Sequence, residues 1–182
     1  MNRPMLQRFL RWHARRRVDL SSVKPEYLRR RYIGADWSGK TLEEFSPVGC
    51  VFERCNFTNA IFEMACFGGG LEDSIYRNCV FDRSTIRAIA PGNARFENCS
   101  FRDVEVLEFY AHNIAMVDNV VSGIVKRAFF NGTVSPEVQL ALGRSRNDFH
   151  GNDFSGAELV DVAFRTGIDL ARQHLPAGTH RE

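Results

Sequence analysis

The chain has 182 residues, of which 44% are hydrophobic and 25% charged, so it is long enough to bury a core of its own. It contains no run of roughly 18 apolar residues, which argues against a transmembrane helix, and its five cysteines favour reduced thiols over a disulfide framework. We expect a cytoplasmic protein, because the basic start of the sequence lacks the continuous apolar segment and the cleavage site of a secretory signal peptide.

The net charge of +2 conceals an uneven distribution. Residues 1–34 contain ten Lys and Arg residues against Asp19 and Glu26, whereas residues 35–182 contain 14 Lys and Arg residues against 20 Asp and Glu residues. A basic arm therefore precedes an acidic body, and this asymmetry bears on the partners of the chain more than on its fold.

Residues 1–34 are predicted to form a basic helical arm. Met5, Leu6, Phe9 and Leu10 recur at helical spacing, and arginines occupy most of the opposite face. Such an arm covers the open end of a body, binds a partner, or does both, and nucleic acid, an anionic membrane surface and an acidic protein all suit its charge. The candidate binding residues of the arm are Arg8, Arg11, Arg15, Arg16, Arg17, Arg29, Arg30 and Arg31.

From residue 35 onward, a large apolar residue recurs at every fifth position, and a small residue usually lies two places before it. The stretch from Cys50 to Phe67 shows this pattern most clearly, and 12 of the 15 Phe residues follow it. A helix has a period of about 3.6 residues and a strand a period of about two, so neither holds the pattern. The pattern fits a coil with four flat sides, which buries its apolar residues by stacking on neighbouring coils.

The clearest pentapeptides are ADWSG (35–39), CNFTN (55–59), NDFSG (152–156) and AELVD (157–161). With these motifs the sequence resembles the pentapeptide-repeat family over about residues 35–130 and 147–168. The resemblance implies an all-β solenoid, the right-handed quadrilateral β-helix, and the length of the pattern predicts about six coils.

The pattern divides the chain into five predicted segments: a basic helical N-terminal arm or cap (1–34), the pentapeptide-repeat β-helix (35–130), an interruption with a short helix near 135–143 (131–146), a final coil (147–170) and a C-terminal tail (171–182). Within the interruption, Ser135 is a predicted helix N-cap, Pro136 follows it, and Gly143 is the predicted stop. The interruption either replaces a degenerate coil or bulges from one.

The predicted register follows from a 20-residue coil that loses one residue after Phe67. It stacks Trp37, Phe57, Tyr76 and Phe96 in one ladder. The predicted core residues are Trp37, Phe52, Phe57, Phe62, Phe67, Tyr76, Phe81, Phe96, Phe101, Phe109, Phe129, Phe149, Phe154 and Phe164.

No motif in the sequence predicts catalysis. Cys50, Cys55, Cys79 and Cys99 occupy the small inward position, so we interpret them as structural thiols and not as metal ligands. The histidines are scattered, and no nucleophile, phosphate-loop or metal-binding motif is present. We therefore predict no catalytic, cofactor-binding or metal site and no enzymatic activity.

Acidic residues are concentrated between residues 43 and 82, where seven acids accompany two arginines. In the predicted register Glu43, Glu63 and Asp82 stack on one face, and Glu53 and Glu72 stack on the opposite face. Stacked like charges should raise the pKa values of these carboxylates. The five residues are candidate partner-binding residues, and the alternative is a chance arrangement of outward polar positions.

These observations favour a non-enzymatic protein-interaction module with an unknown protein partner, present as a monomer or a weak dimer. The resemblance implies an alternative, a DNA mimic that binds a type II topoisomerase such as gyrase through its acidic face. A third interpretation is nucleic-acid binding through the basic arm. The acidic body counts against a simple DNA-binding protein, because it repels the phosphate backbone.

Overall fold

A computed structural model describes residues 23–88 and 90–178, and β-strands dominate both ranges. The strands are β1 (Arg31–Ile33), β2 (Thr41–Glu43), β3 (Val51–Glu53), β4 (Ile61–Glu63), β5 (Ser74–Arg77), β6 (Thr85–Arg87), β7 (Asn93–Glu97), β8 (Ser100–Leu107), β9 (Tyr110–Ala111), β10 (Asn113–Val117), β11 (Val120–Asn131), β12 (Phe149–His150) and β13 (Asp153–Arg165). One short α-helix, α1 (Gln139–Leu142), and two 3-10 turns, Pro25–Tyr27 and Leu170–Arg172, complete the described elements.

The strands form two parallel sheets in which each strand pairs with the strand one coil away. One sheet has the order β1-β3-β5-β7-β10-β12, and the other has the order β13-β11-β8-β6-β4-β2, with β9 beside β11. Six strands stacked in each sheet make five full turns and part of a sixth. The predicted all-β solenoid is confirmed, with slightly fewer coils than the pattern suggested.

Each coil has four sides, and each side points one large residue inward. We number the sides in chain order and name them by these residues. The first side carries Tyr32, Phe52, Tyr76, Phe96, Met116 and Phe149. The second carries Trp37, Phe57, Phe81, Phe101, Val121 and Phe154. The third carries Leu42, Phe62, Ile86, Val106, Val125 and Leu159. The fourth carries Pro47, Phe67, Pro91, Ala111, Phe130 and Phe164.

The corners between sides use the left-handed backbone region. At the corner after the first side, Arg54, Asn78, Asn98 and Asp118 all have φ between 50° and 55°. Asn and Asp tolerate this conformation better than other residues with a Cβ atom. The corner conformation therefore explains why the second outward position of many repeats is Asn, Asp or Gly.

The predicted ladder after Phe67 is wrong. Val51 pairs with Ile75, so this coil has 24 residues and not 19. A side needs five residues, and the four residues left over between Phe67 and Tyr76 form a loop at the corner instead of shortening a side. Phe57 consequently stacks on Phe81, with ring centroids 4.7 Å apart and rings 6° from parallel.

The predicted inward residues near the end of β11 also require correction. Phe129 is only half-buried and faces outward, and Phe130 fills the core in its place with 4% of its surface exposed. The chain drops one residue near Gly123, where the pairing of β11 with β8 shifts register. The sequence pattern placed this slip before Phe109, because it followed the aromatic residues. The true inward residues there, Ala111 and Met116, are not aromatic.

The other predicted core residues lie inside the coils or at their ends. Trp37 and Phe164 are partly buried against the core because they belong to the first and last coils. Phe109 is buried but takes the small inward position two residues before Ala111. Phe45, which the period of five omits, takes the equivalent position and is 1% exposed. The remaining predicted core residues are buried: Phe52, Phe57, Phe62, Phe67, Tyr76, Phe81, Phe96, Phe101, Phe149 and Phe154.

The cysteines of the second side stack in the small inward position, as predicted. Cys79 Sγ donates to the Phe52 carbonyl oxygen at 3.5 Å, and Cys99 Sγ donates to the Tyr76 carbonyl oxygen at 3.4 Å. All five cysteines are free thiols. The hydrogen bond with Cys79 and burial both raise the pKa of Cys55.

Amide side chains continue this cysteine ladder into the last coils. Asn119 Nδ2 donates to the Phe96 carbonyl oxygen at 3.1 Å and to Asn152 Oδ1 at 2.9 Å. Asn152 Nδ2 donates to the Met116 carbonyl oxygen at 2.9 Å and to Gln173 Oε1 at 3.1 Å. Each buried amide thus hydrogen-bonds to the amide of the next coil, which explains how a polar residue occupies an inward position.

The predicted short helix is present as α1, and it belongs to an excursion from the rod. Thr133 pairs with Arg146, so residues 133–146 leave the corner between the fourth and first sides and return to it. The helix ends at Gly143, which has φ 64°, as predicted. Ser135 does not cap it, because a turn over residues 136–138 separates Ser135 from the first helical residue.

Both ends of the β-helix differ from the predicted boundaries. Strand β1 begins at Arg31 and Leu28 pairs with Val48, so the first coil starts before residue 35. At the other end Asp153 pairs with His174, so the last partial coil extends into the predicted tail. No helix in the described ranges has the length and apolar character needed to cross a membrane.

Candidate interaction surface

The outward side chains form columns along the rod, and one predicted acidic column is only partly present. Glu43 and Glu63 lie opposite each other on β2 and β4 of the third side. Asp82 lies on the second side, where its Oδ1 accepts a hydrogen bond from the Arg102 backbone N–H at 2.9 Å. The prediction that Asp82 extends the column is wrong, because the 24-residue coil moves it to a different side.

The predicted pair of stacked acids, Glu53 and Glu72, is also wrong. Glu53 Oε2 lies 2.8 Å from Arg31 Nη2, and Glu53 Oε1 lies 2.7 Å from Arg54 Nη1. Glu72 lies in the loop after Phe67 and accepts hydrogen bonds from Arg29, whose Nε is 3.0 Å from Oε2. The hydrogen bond from Arg31 lowers the pKa of Glu53, and that from Arg29 lowers the pKa of Glu72, contrary to the predicted rise.

The same contacts decide the position of the basic residues near the start of the β-helix. Arg31 contacts Glu53 of the following coil, and Arg29 contacts Glu72 in the loop after Phe67. Arg30 Nε donates to the Pro25 carbonyl oxygen at 3.2 Å. The basic stretch at 29–31 is therefore part of the rod surface. The other predicted arm residues lie outside the described ranges: Arg8, Arg11, Arg15, Arg16 and Arg17.

Ion pairs also cover the later coils of the first side. Glu97 Oε2 lies 2.5 Å from Arg77 Nε, Glu97 also contacts Arg95, and Arg95 Nη1 lies 2.6 Å from Asp148 Oδ2. Partial burial raises the pKa of Glu97, but the hydrogen bonds from Arg95 and Arg77 outweigh it, so the pKa lies below its usual value. The first side thus satisfies its charges internally.

The fourth side differs, because its outward face carries partly buried aromatic rings. Tyr110 and Phe129 stack face to face with ring centroids 5.3 Å apart and 5° from parallel. The Arg165 guanidinium lies 4.4 Å from the centre of the Phe129 ring, and His112 meets that ring edge-on at 4.8 Å. We call these four residues the outward aromatic cluster. The sequence pattern missed it, although the adjacent pair Phe129–Phe130 shows that one of the two rings must face outward.

The excursion is fastened to the loop after Phe67. Arg144 Nη2 lies 3.1 Å from Asp73 Oδ1 and donates to the Asn113 carbonyl oxygen at 3.1 Å. Asn147 is buried and donates to the His112 carbonyl oxygen at 2.9 Å. These contacts hold the excursion against the corner, while Leu140 at its helix is 88% exposed.

A small apolar cavity of about 40 Å³ lies in the core, lined by residues that include Phe67, Phe96 and Phe130. Within the described ranges, no group of three His, Cys, Asp or Glu side chains is placed to hold a metal ion.

A family model described as "Pentapeptide repeats (8 copies)" matches residues 48–69. These residues form β3, β4 and the sides between them, and the coils stacked on either side of them repeat the same geometry. No curated protein matches the sequence. The matched segment agrees with the parallel coils that stack on either side of it, and the sequence is similar to this family over residues 48–69.

Proposed function

We propose that this chain is a non-enzymatic protein-interaction module of the cytoplasm, whose β-helix presents side chains to a protein partner. The observation that carries the proposal is the fixed lattice of outward positions. Each coil repeats them at the strand spacing of about 4.8 Å, while the inward positions are filled by stacked rings. A surface so rigidly held loses little conformational entropy when it binds.

The distribution of charge supports a partner on the third or fourth side. The first side and the loop after Phe67 use their acids in ion pairs with Arg29, Arg31, Arg77 and Arg95. The fourth side instead exposes the outward aromatic cluster, and aromatic residues with arginine are enriched in protein–protein interfaces. The five free thiols suit a reducing compartment.

A DNA mimic that binds a type II topoisomerase such as gyrase is the second candidate. The register of Glu43 with Glu63 favours it, because two carboxylates lie one coil apart on one face. Two observations weaken it. Asp82 lies on a different side of the rod, and the charges of Glu53 and Glu72 are compensated by arginines. We therefore rank it below a general protein-interaction module.

The test is affinity capture from a cytoplasmic lysate, with and without nuclease, using the full chain. One variant replaces Arg8, Arg11, Arg15, Arg16 and Arg17 with Gln, and a second carries Glu43→Lys with Glu63→Lys. We expect a protein that is retained by both variants and is indifferent to nuclease.

Each alternative predicts a different result. Loss of gyrase capture and of supercoiling inhibition in the Glu43→Lys, Glu63→Lys variant would favour DNA mimicry. Capture that requires both the arm arginines and intact nucleic acid would favour nucleic-acid binding. If no specific protein is captured under any condition, the proposed function is wrong.

A further inference from the structure

The outward aromatic cluster is a surface that the fold itself does not require. The core of the fourth side is filled by Ala111, Phe130 and Phe164, which are the inward residues of the same coils. Tyr110 and Phe129 lie one position before Ala111 and Phe130, where the side chain points away from the core. Elsewhere on the described rod this position holds polar residues such as Ser100 or aliphatic residues such as Ile61 and Ile75, and no other aromatic ring. The two outward rings therefore call for another explanation.

Charge distinguishes the fourth side from the other three. Its one acidic outward position in the described coils is Glu26, which is in register with Ser46 at the start of the rod. From Ser46 onward none is acidic: these positions are Ser46, Val48, Cys66, Gly68, Ala90, Gly92, Tyr110, His112, Phe129, Asn131, Ala163 and Arg165. At the adjacent corner Arg127 Nη2 lies 3.1 Å from Glu108 Oε1. Arg165 thus places a positive charge against the Phe129 ring, and a ligand with carboxylates is favoured here.

The aromatic stack stops at Tyr110. Phe129 covers one face of the Tyr110 ring, and no ring in the described ranges stacks on the other face. The coil repeat places the small residues Ala90 and Cys66 next along the same column. A planar side chain can continue the stack at this point, at the usual ring separation of about 4.5–7 Å.

We propose that the outward aromatic cluster binds an acidic linear segment of the protein partner, with an aromatic side chain of that segment stacked on Tyr110 and its carboxylates beside Arg165. This inference rests on the proposed protein-interaction function. A polyanionic nucleic acid is the poorer fit, because residues 35–182 contain 20 acids against 14 bases and repel it over a longer range.

The geometry also sets the spacing within the segment. The centre of the Tyr110 ring is 5.3 Å from that of Phe129, and Arg165 lies 4.4 Å beyond it. A ligand ring on the free face of Tyr110 is then about 14–15 Å from the guanidinium, since stacked rings add roughly 5 Å. An extended chain advances about 3.3 Å per residue, so the carboxylates belong about four residues from the aromatic residue.

The test uses the full chain and the fluorescein-labelled peptide Phe-Gly-Ser-Gly-Glu-Glu, measured by fluorescence anisotropy. We expect saturable binding that weakens at least about tenfold, or about 1.4 kcal/mol, with Tyr110→Ser or Arg165→Glu. Arg83→Glu and Ile124→Ser are matched controls on the second and third sides, and each should change the dissociation constant less than about twofold. Retained circular dichroism and thermal midpoint show that the variants fold.

Three ligand controls separate the parts of the inference. A peptide with Gln in place of both Glu residues, a peptide with Ala in place of Phe, and the rearranged peptide Phe-Glu-Glu-Gly-Ser-Gly should each bind more weakly. Equal binding of all four peptides would overturn the assigned chemistry and spacing, as would no binding by the first peptide up to about millimolar concentration. Tighter binding of a ten-residue oligothymidine would show a nucleic-acid surface instead.

The result is distinguishable from failure of the proposed function. If lysate capture yields a specific protein that Tyr110→Ser and Arg165→Glu still retain, the cluster is not the contact surface, and the interaction function stands. If lysate capture yields no protein, the function itself fails, whatever the peptide result.

Discussion

Phe81→Ala removes a ring from the centre of the second side. Phe81 has no exposed surface, and it stacks on Phe57 at 4.7 Å and on Phe101 at 4.6 Å, with rings within 6° of parallel. It also meets Tyr76 and Phe96 edge-on at 5.9 Å. The substitution therefore breaks a continuous stack and leaves a cavity between coils.

The expected cost follows from these contacts. Truncation of a buried Phe to Ala costs about 3–5 kcal/mol through lost transfer free energy and the cavity left behind. Each well-formed aromatic pair adds about 0.5–1.5 kcal/mol beyond the buried area. With a neighbour on both faces, Phe81→Ala should lie at the upper end, near 5 kcal/mol.

Phe129→Ala is the matched control, since the period of five gives both residues the same role and the structure separates them. Phe129 is half-buried, and its truncation removes its contacts with Tyr110 and Arg165, at about 1 kcal/mol. Guanidinium unfolding followed by circular dichroism measures both free energies. Equal losses for the two variants, or a near-neutral Phe81→Ala, would refute the assigned register.

Three other predictions test separate features. Gly68→Ala should destabilise the chain by more than about 3 kcal/mol, because its Cβ would lie 1.5 Å from the Asn93 carbonyl oxygen. Gly143→Ala is the control: its Cβ meets no atom within 4 Å, so it should cost only about 1 kcal/mol of backbone strain. Thermal unfolding measures both losses. The pKa of Glu97 is lowered in the folded chain, so its ion pairs stabilise the fold above the usual pKa of 4.5, and this stabilisation is lost as the pH falls through the lower folded pKa. The difference in melting temperature between the native chain and Glu97→Gln should therefore shrink from pH 7 to pH 3. A constant difference would exclude the ion pairs as its cause. A hydrogen bond with Cys55 lowers the pKa of Cys79, whereas a hydrogen bond with Cys99 and burial raise it, to about 12. Ellman's reagent should therefore label the four buried thiols, Cys79 among them, slowly until denaturant is added, while the partly buried Cys66 can react faster. Fast labelling of more than one thiol per native chain would contradict the burial of the other four.

The period of five predicted the fold because it reports a local requirement. Each side of a coil needs one large and one small inward residue, as Phe57 and Cys55 show, and this need repeats whatever the rest of the surface does. The register was harder to predict, because it depends on where extra residues leave the coil. After Phe67 four residues form a loop, and in a sequence these look like a shortened side.

The candidate surface was less predictable for the same reason. Glu53 and Glu72 form a stacked pair only in the predicted register. In the structure Glu72 lies in the loop after Phe67 and contacts Arg29, while Glu53 contacts Arg31. Phe129 shows the opposite case, since the pattern assigned it to the core and the outward cluster depends on it. Outward columns are set by stacking between coils, which the spacing within one coil does not record.

The most direct test of function is site-specific photo-cross-linking in cell lysate with the full chain. The photo-reactive residue p-benzoylphenylalanine replaces Asn131, beside the outward aromatic cluster, or Arg83, on the second side. We predict a discrete cross-linked protein from position 131 that resists nuclease and is missing from position 83. Equal products from both positions, or a product that disappears after nuclease treatment, would contradict a protein-interaction surface on the fourth side.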